Sequence, residues 1–302
     1  MVSQAWFLQH PVCRACALGL LVGSLFVSEA HGQGTTRVVY PAYEVAGDVR
    51  FDDLVDLLRT ALEKTVPEFG PFVLSASPRG MNEARYLAEL GSESKLVNIV
   101  WSSTSTQKEA DFLPIRIPLR KGLLGYRIAL IAKGSQSQLD QATNLTLLKQ
   151  FTIGQGNGWG DVDIYKANGF TVRTAQYGNL FEMVDNGRFD LFPRGIGEIY
   201  PEFALHAKGN PNLAIEQNLL IYYPWPYYFF FNKNDAALKQ RIEAGLRRMM
   251  KDGSFDANFQ KYNGAAIRQA DLKNRRVIRI TNHMLPKETP LNDASLWFDP
   301  SK

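Results

Sequence analysis

Strand-like apolar runs alternate with amphipathic stretches of helical period along this chain, and the alternation happens twice. RVVY (37–40) is followed by DDLVDLLRTALEK, which sets Leu54, Leu57, Leu58, Ala61 and Leu62 on one helical face. FVLSAS (72–77) reads as a second strand, MNEARYLAELGSES (81–94) as a second helix and LVNIVWSST (96–104) as a third strand. Strands separated by helices imply an α/β fold with parallel pairing. The segment 110–134 is extended and proline-marked, ends in the strand YRIALIA, and reads as a connection between two lobes. A second alternating set follows: FTIGQGNGWGDVDIYKANG, FTVRTAQYG, the helix NLFEMVDNG, the strand RFDLFP and a helix over GEIYPEFALHAKG. LLIYYPWPYYFFFNK (219–233) reads as a strand buried on both faces plus a proline-shaped crossover. The helix DAALKQRIEAGLRRMMKDG comes next, so the chain crosses between the lobes twice.

With 302 residues, 45% of them hydrophobic, the chain is long and apolar enough for two compact lobes. Lys plus Arg exceed Asp plus Glu by 34 minus 30, a net charge of +4, and no basic run with interleaved aromatics marks a nucleic-acid groove. The apolar run Ala15–Val27 follows Arg14 and ends at Ser28-Glu29-Ala30, the pattern of a cleaved secretory signal over 1–30. Cys13 and Cys16 lie inside it, so the mature chain is expected to carry no disulfide and no thiolate metal site. The four histidines are scattered, and no cofactor is expected.

In DNGRFDLFPRG (185–195), the strand is expected to stop at Pro193 and leave Arg194 just beyond it, where open α/β sheets bind ligands. The loop GQGNGWG (154–160) opens a helix, so the backbone N–H groups of Asn157, Gly158, Trp159 and Gly160 are candidates to hold an anion. From the first lobe, Tyr43 and the strand end Trp101, Ser102, Ser103 and Thr104 are candidate ligand contacts. Arg194 has a second reading, an ion pair with Glu198 or Glu202 on the following helix.

TIGQGNGWG, GRFDLF and the ending FFFNKNDAALKQRIEAGLRRMMKDGSFDANFQKYNG, in that order, resemble the bacterial extracellular solute-binding proteins of the polar amino-acid type. These are the periplasmic partners of ABC transporters. The resemblance spans residues 37 to 264 and implies a type 2 periplasmic-binding-protein-like fold. Each lobe would be a mixed sheet flanked by helices, joined by two hinge crossovers and closing on a small solute. The implied layout is lobe 1 over 35–128 and 229–302, the latter with a C-terminal extension, and lobe 2 over 129–228. It implies a periplasmic, monomeric binder, not an enzyme, whose partners are a small-molecule ligand and a membrane permease or sensor.

Two departures from the family pattern bear on the ligand. Gln107 stands near the place of the arginine that grips a ligand carboxylate, and Gly195 where the aspartate that receives an ammonium falls. The expected solute is therefore small, polar or anionic, and not an ordinary amino acid. Three rivals remain open: a solute-sensing accessory subunit, a dehydratase-like enzyme on the same scaffold with Glu198 as acid and base, and an interaction scaffold whose cleft has lost ligand binding.

Overall fold

The computed structural model describes residues 34–44 and 49–301. The expected signal segment, with Cys13 and Cys16, lies outside them. The described chain is mixed α/β, with two groups of sheets flanked by helices. Among the described residues, no helix is long and apolar enough to cross a membrane.

The first group starts with β1 (Thr36–Ala42), α1 (Asp52–Glu63), α2 (Val66–Phe69) and β2 (Phe72–Gly80). It continues with α3 (Glu83–Gly91), β3 (Val100–Ser103), α4 (Thr106–Asp111) and β4 (Leu113–Ile115). α1 buries all five apolar positions of its predicted face, and Asp52 and Asp53 in its first turn suit the positive end of the helix dipole. β1 pairs parallel with β2, as expected. Asn98, just before β3, binds β1 through Val39 N–H to its Oδ1 (2.8 Å) and through its Nδ2 to the Arg37 carbonyl (2.8 Å).

After Pro118–Gly125, the first crossover, the chain enters β5 (Tyr126–Ala132), α5 (Gln136–Leu139), α6 (Leu145–Leu148), β6 (Ile153–Gly156), α7 (Asp161–Ala167) and β7 (Val172–Ala175). The second group ends with α8 (Tyr177–Asp185), β8 (Phe192–Gly195), α9 (Ile196–His206), β9 (Leu213–Ile215) and β10 (Leu219–Tyr222). β5 is its axis, antiparallel to β8, β9 and β10. β6 and β7 pair parallel, and Ile153 bridges to Leu191 beside β8.

The second crossover, Tyr223–Pro226, leads back to β11 (Tyr227–Phe231), then α10 (Ala236–Asp252) and α11 (Ser254–Ala270). β11 sits between β3 and β4, antiparallel to both. Phe229 and Phe231 enter the core under α1 and α10, while Tyr228 and Phe230 enter the core beside α3. The aromatic run is thus a strand buried on both faces, as its composition implied.

Two expectations need correction. Pro193 does not end its strand: its fixed φ is tolerated in extended chain, and β8 pairs with β5 onward through Arg194 and Gly195. The tail is expected with the first lobe, yet β12 (Arg276–Arg279) adds to the second sheet, parallel to β10.

Candidate functional site

Arg194 lies inside β8, only 7% exposed. Its fork meets Glu202 of α9 twice, Nε to Oε2 and Nη2 to Oε1, each at 2.6 Å. The rings of Trp159, Phe192 and Tyr177 surround the guanidinium carbon at 4.6, 5.2 and 5.8 Å, a cation–π arrangement. Tyr177 Oη also donates to Glu202 Oε1 (2.8 Å). Of the two readings of this arginine, the geometry is that of the ion pair, with bidentate bonds that leave little of the fork for a solute.

Gly195 leads into α9 and donates its N–H to Glu198 Oε2 (2.9 Å). The Glu198 carboxylate fills the room a side chain at 195 would take: a Cβ there would lie 2.9 Å from Oε2. Arg194 Nη2 and Arg127 Nη1 approach the same oxygen at 3.3 and 3.7 Å. Burial raises the proton affinity of Glu198, but the two guanidiniums and the Gly195 N–H outweigh it and hold the carboxyl below the usual carboxylate range. Its side chain is nevertheless 44% exposed, the most open charged group of this cluster.

Arg127, in β5, has no motif in the sequence to single it out. Its Nη2 meets Asp161 Oδ1 at 3.0 Å and its Nε donates to Tyr223 Oη at 2.9 Å. Tyr223 in turn donates to Asp161. The guanidinium lies 5.6 Å from the ring centres of both Tyr223 and Trp225, so the second crossover is fastened to the second sheet here.

In the loop after β6, two of the four N–H groups expected to hold an anion are already engaged. Asn157 N–H is taken by the Ala175 carbonyl (2.9 Å) and Trp159 N–H by Gly156 (3.2 Å). Asp161 and Asp163 already occupy the first turn of the short helix α7. Gly158 makes the turn at φ +77° and is exposed with Asn157 and Gly160, while Trp159 turns in over Arg194.

On the first lobe, Trp101 is 1% exposed and packs against Phe51 and Tyr40 at ring distances of 5.4 and 6.0 Å. This takes it out of the contact set, because its strand parity points it to the core. Ser102, also buried, donates to Glu83 Oε1 (2.5 Å) and accepts from Lys108 Nζ (2.6 Å). Ser103 offers its carbonyl to the same Lys108 (3.0 Å). Thr104 Oγ1 donates to Glu109 (2.6 Å), and Tyr43 Oη to Asp52 (2.6 Å).

Sequence reading also misses Arg120 and Tyr227. Arg120 holds Asp53 through Nε (2.6 Å) and Nη2 (2.7 Å), with its guanidinium 5.7 Å from the Phe51 ring centre and 5.9 Å from that of Tyr227. Tyr227 Oη approaches Glu83 Oε2 at 3.5 Å. Glu198 of the second group is among the charges that shift both Arg120 and Tyr227, so these side chains lie within electrostatic reach of one another. The contacts around Glu198 itself join Arg194, Arg127 and Gly195, with Asp161, Tyr223 and Trp225 gathered at Arg127. The signal that could have found Arg120 and Arg127 is a pair of cations flanking the end of the first crossover, one ahead of β5 and the other just inside it.

No protein-family model matches the sequence, and no curated protein matches it. Solved structures do. The crystal structure of YckB from Bacillus subtilis is 17% identical, with a TM-score of 0.50 over 76% of this chain and 90% of that one. An ancestral arginine-binding protein bound to arginine is 20% identical over 77% and 99% of the two chains, at a TM-score of 0.48. A Salmonella typhimurium periplasmic binding protein of high arginine specificity is 15% identical over 76% and 99%, at 0.49. The first of these likenesses speaks for the fold alone: the chain has the two-lobed α/β fold of the type 2 periplasmic-binding-protein kind.

Proposed function

We propose that this is an exported solute-binding protein that closes on a small polar ligand between its lobes and serves an ABC-type membrane permease. The observation that carries the reading is the cluster around Glu198. Each arginine near it has its own acid: Arg120 has Asp53, Arg127 has Asp161 and Arg194 has Glu202. Glu198 is the fourth acid, a second and longer partner of Arg194 and Arg127 at 3.3 and 3.7 Å, and the most exposed of the four. With its arginine committed to Glu202, the site favours a solute that brings a cation or hydrogen-bond donors, and the anionic half of the expectation is given up. Trp225, Tyr227 and Trp159 supply apolar faces for the rest of such a solute.

The same chemistry argues against the dehydratase-like rival. A carboxyl serving as general acid near neutrality needs its proton affinity raised, whereas Arg194 and Arg127 hold Glu198 ionised.

Thermal unfolding of the parent and of Glu198→Gln against amines, guanidinium compounds, sugars, amino acids and carboxylates tests this. A donor-bearing solute at 100 times its Kd is expected to stabilise the parent by about 2.7 kcal/mol, a shift of roughly 5–10 °C. Glu198→Gln is expected to weaken that solute at least tenfold, an order-of-magnitude loss typical of a charged hydrogen-bond partner. Stabilisation by carboxylates alone, or an unchanged response in the variant, overturns the reading. Because the folded carboxyl titrates below its ordinary value of about 4.3, affinity should be full above that pH and fall only as the pH drops through the folded value.

A further inference from the structure

Residues 280–299 run from the second lobe to the first and back, touching both crossovers on the way. Ile280 N–H donates to the Tyr222 carbonyl (2.8 Å), and Thr281 exchanges two hydrogen bonds with Asn168 at the end of α7 (2.7 and 3.0 Å). Asn282 Nδ2 then donates to the Pro224 carbonyl in the second crossover (3.0 Å), while its Oδ1 accepts from Met284 N–H (3.1 Å). The Met284 carbonyl receives Thr106 N–H (3.1 Å) at the start of α4, on the first lobe.

The far end is fastened to the first crossover. Phe298 N–H donates to the Lys121 carbonyl (2.7 Å), and its own carbonyl accepts from Tyr126 Oη (2.9 Å). Leu296 joins the core under α1 and α10, whereas the Phe298 ring packs between Tyr126 (5.7 Å) and Phe259 (5.8 Å) at the edge of the core around β5. Trp297 covers Gly122 so closely that a Cβ there would meet the indole at 2.4 Å.

From these contacts we infer that residues 280–299 form a strap that ties the lobes together across both crossovers and holds them in the arrangement of this structure. A hinge motion is absorbed by a few connecting residues, and here each connection is bonded to the strap. Contacts made in one arrangement and broken in another bias the equilibrium between them. Cladding on a single lobe would have no such effect, but the strap is bonded to α4 on one side and to α7 and β10 on the other.

The test needs no ligand, so its failure is separable from failure of the binding proposal. A chain ending at Thr281, which keeps β12, and a full-length Trp297→Ala/Phe298→Ala variant are compared with the parent by small-angle scattering and amide exchange. The expected result is a radius of gyration larger by about 1 Å, on the roughly 19 Å of a compact chain this size. Exchange at the two crossovers should rise at least about tenfold, with α1 and α11 protected as before. Unchanged dimensions and crossover exchange in the full-length variant overturn the strap, as does a loss of protection spread evenly over both lobes. Should the shortened chain fail to fold, the double substitution decides the question by itself.

Discussion

Replacing Arg194 with alanine is expected to lower the thermal unfolding midpoint by about 10 °C. The substitution strands Glu202, whose side chain is only 14% exposed and has the guanidinium on both oxygens. Breaking a buried pair from one side costs about 3–5 kcal/mol, because the remaining charge stays in place without compensation. At this chain length each kcal/mol is worth roughly 2–4 °C. Arg194→Met combined with Glu202→Gln should recover more than half of the loss, since no lone charge remains and the methionine refills the space under Trp159. Circular dichroism melts of the three proteins decide the matter. A midpoint within about 1 °C of the parent for Arg194→Ala, together with lost solute binding, would make the arginine a ligand clamp after all.

Gly125→Ala should be nearly as damaging, for a steric reason. A Cβ at 125 would lie 1.9 Å from the Tyr223 carbonyl oxygen and 3.3 Å from the Trp225 nitrogen. Tyr223 N–H also donates to the Gly125 carbonyl (3.2 Å), so the two crossovers touch backbone to backbone. Neither partner is the free end of a flexible side chain. One methyl group must push the crossovers apart, carrying Tyr223 away from Arg127 and Asp161. A loss of about 3 kcal/mol is expected, at the upper end for overpacking, with a change in the near-ultraviolet signal of Trp225. An unperturbed melt and spectrum would show that the crossovers have slack here.

Local pattern carried much of the fold. The apolar face of α1 is buried at every predicted position, and YRIALIA is β5 from its first residue to its last. The aromatic run after residue 222 is a doubly buried strand because no other placement hides so many rings. Pairing across long separations was not legible. Nothing near β11 says that it will insert between β3 and β4, and nothing near β12 says that it will leave the first lobe. The candidate site failed at the same level. Arg194 was found from its place at the end of a strand, and Glu198 because it stands four positions further on, in the first turn of α9. Arg127 meets Tyr223 across 96 positions, a partnership only the folded chain creates. The loop 154–160 misled for a related reason: glycines advertise free N–H groups, but the N–H groups of Gly154, Asn157 and Trp159 are claimed by carbonyls within the fold.

The strand order of the sheets also bears on when the protein can fold. β11, the middle strand of the β3-β11-β4 sheet, and β12, the border strand of the sheet beside β10, both come late in the chain. A nascent chain shortened before residue 227 lacks the strand that joins β3 to β4, and one shortened before 276 lacks the last strand of the other sheet. Neither lobe can complete itself while its C-terminal part is still in the ribosome, and such non-local pairing is slow once it begins. The topology therefore delays the completion of both sheets until synthesis is almost over.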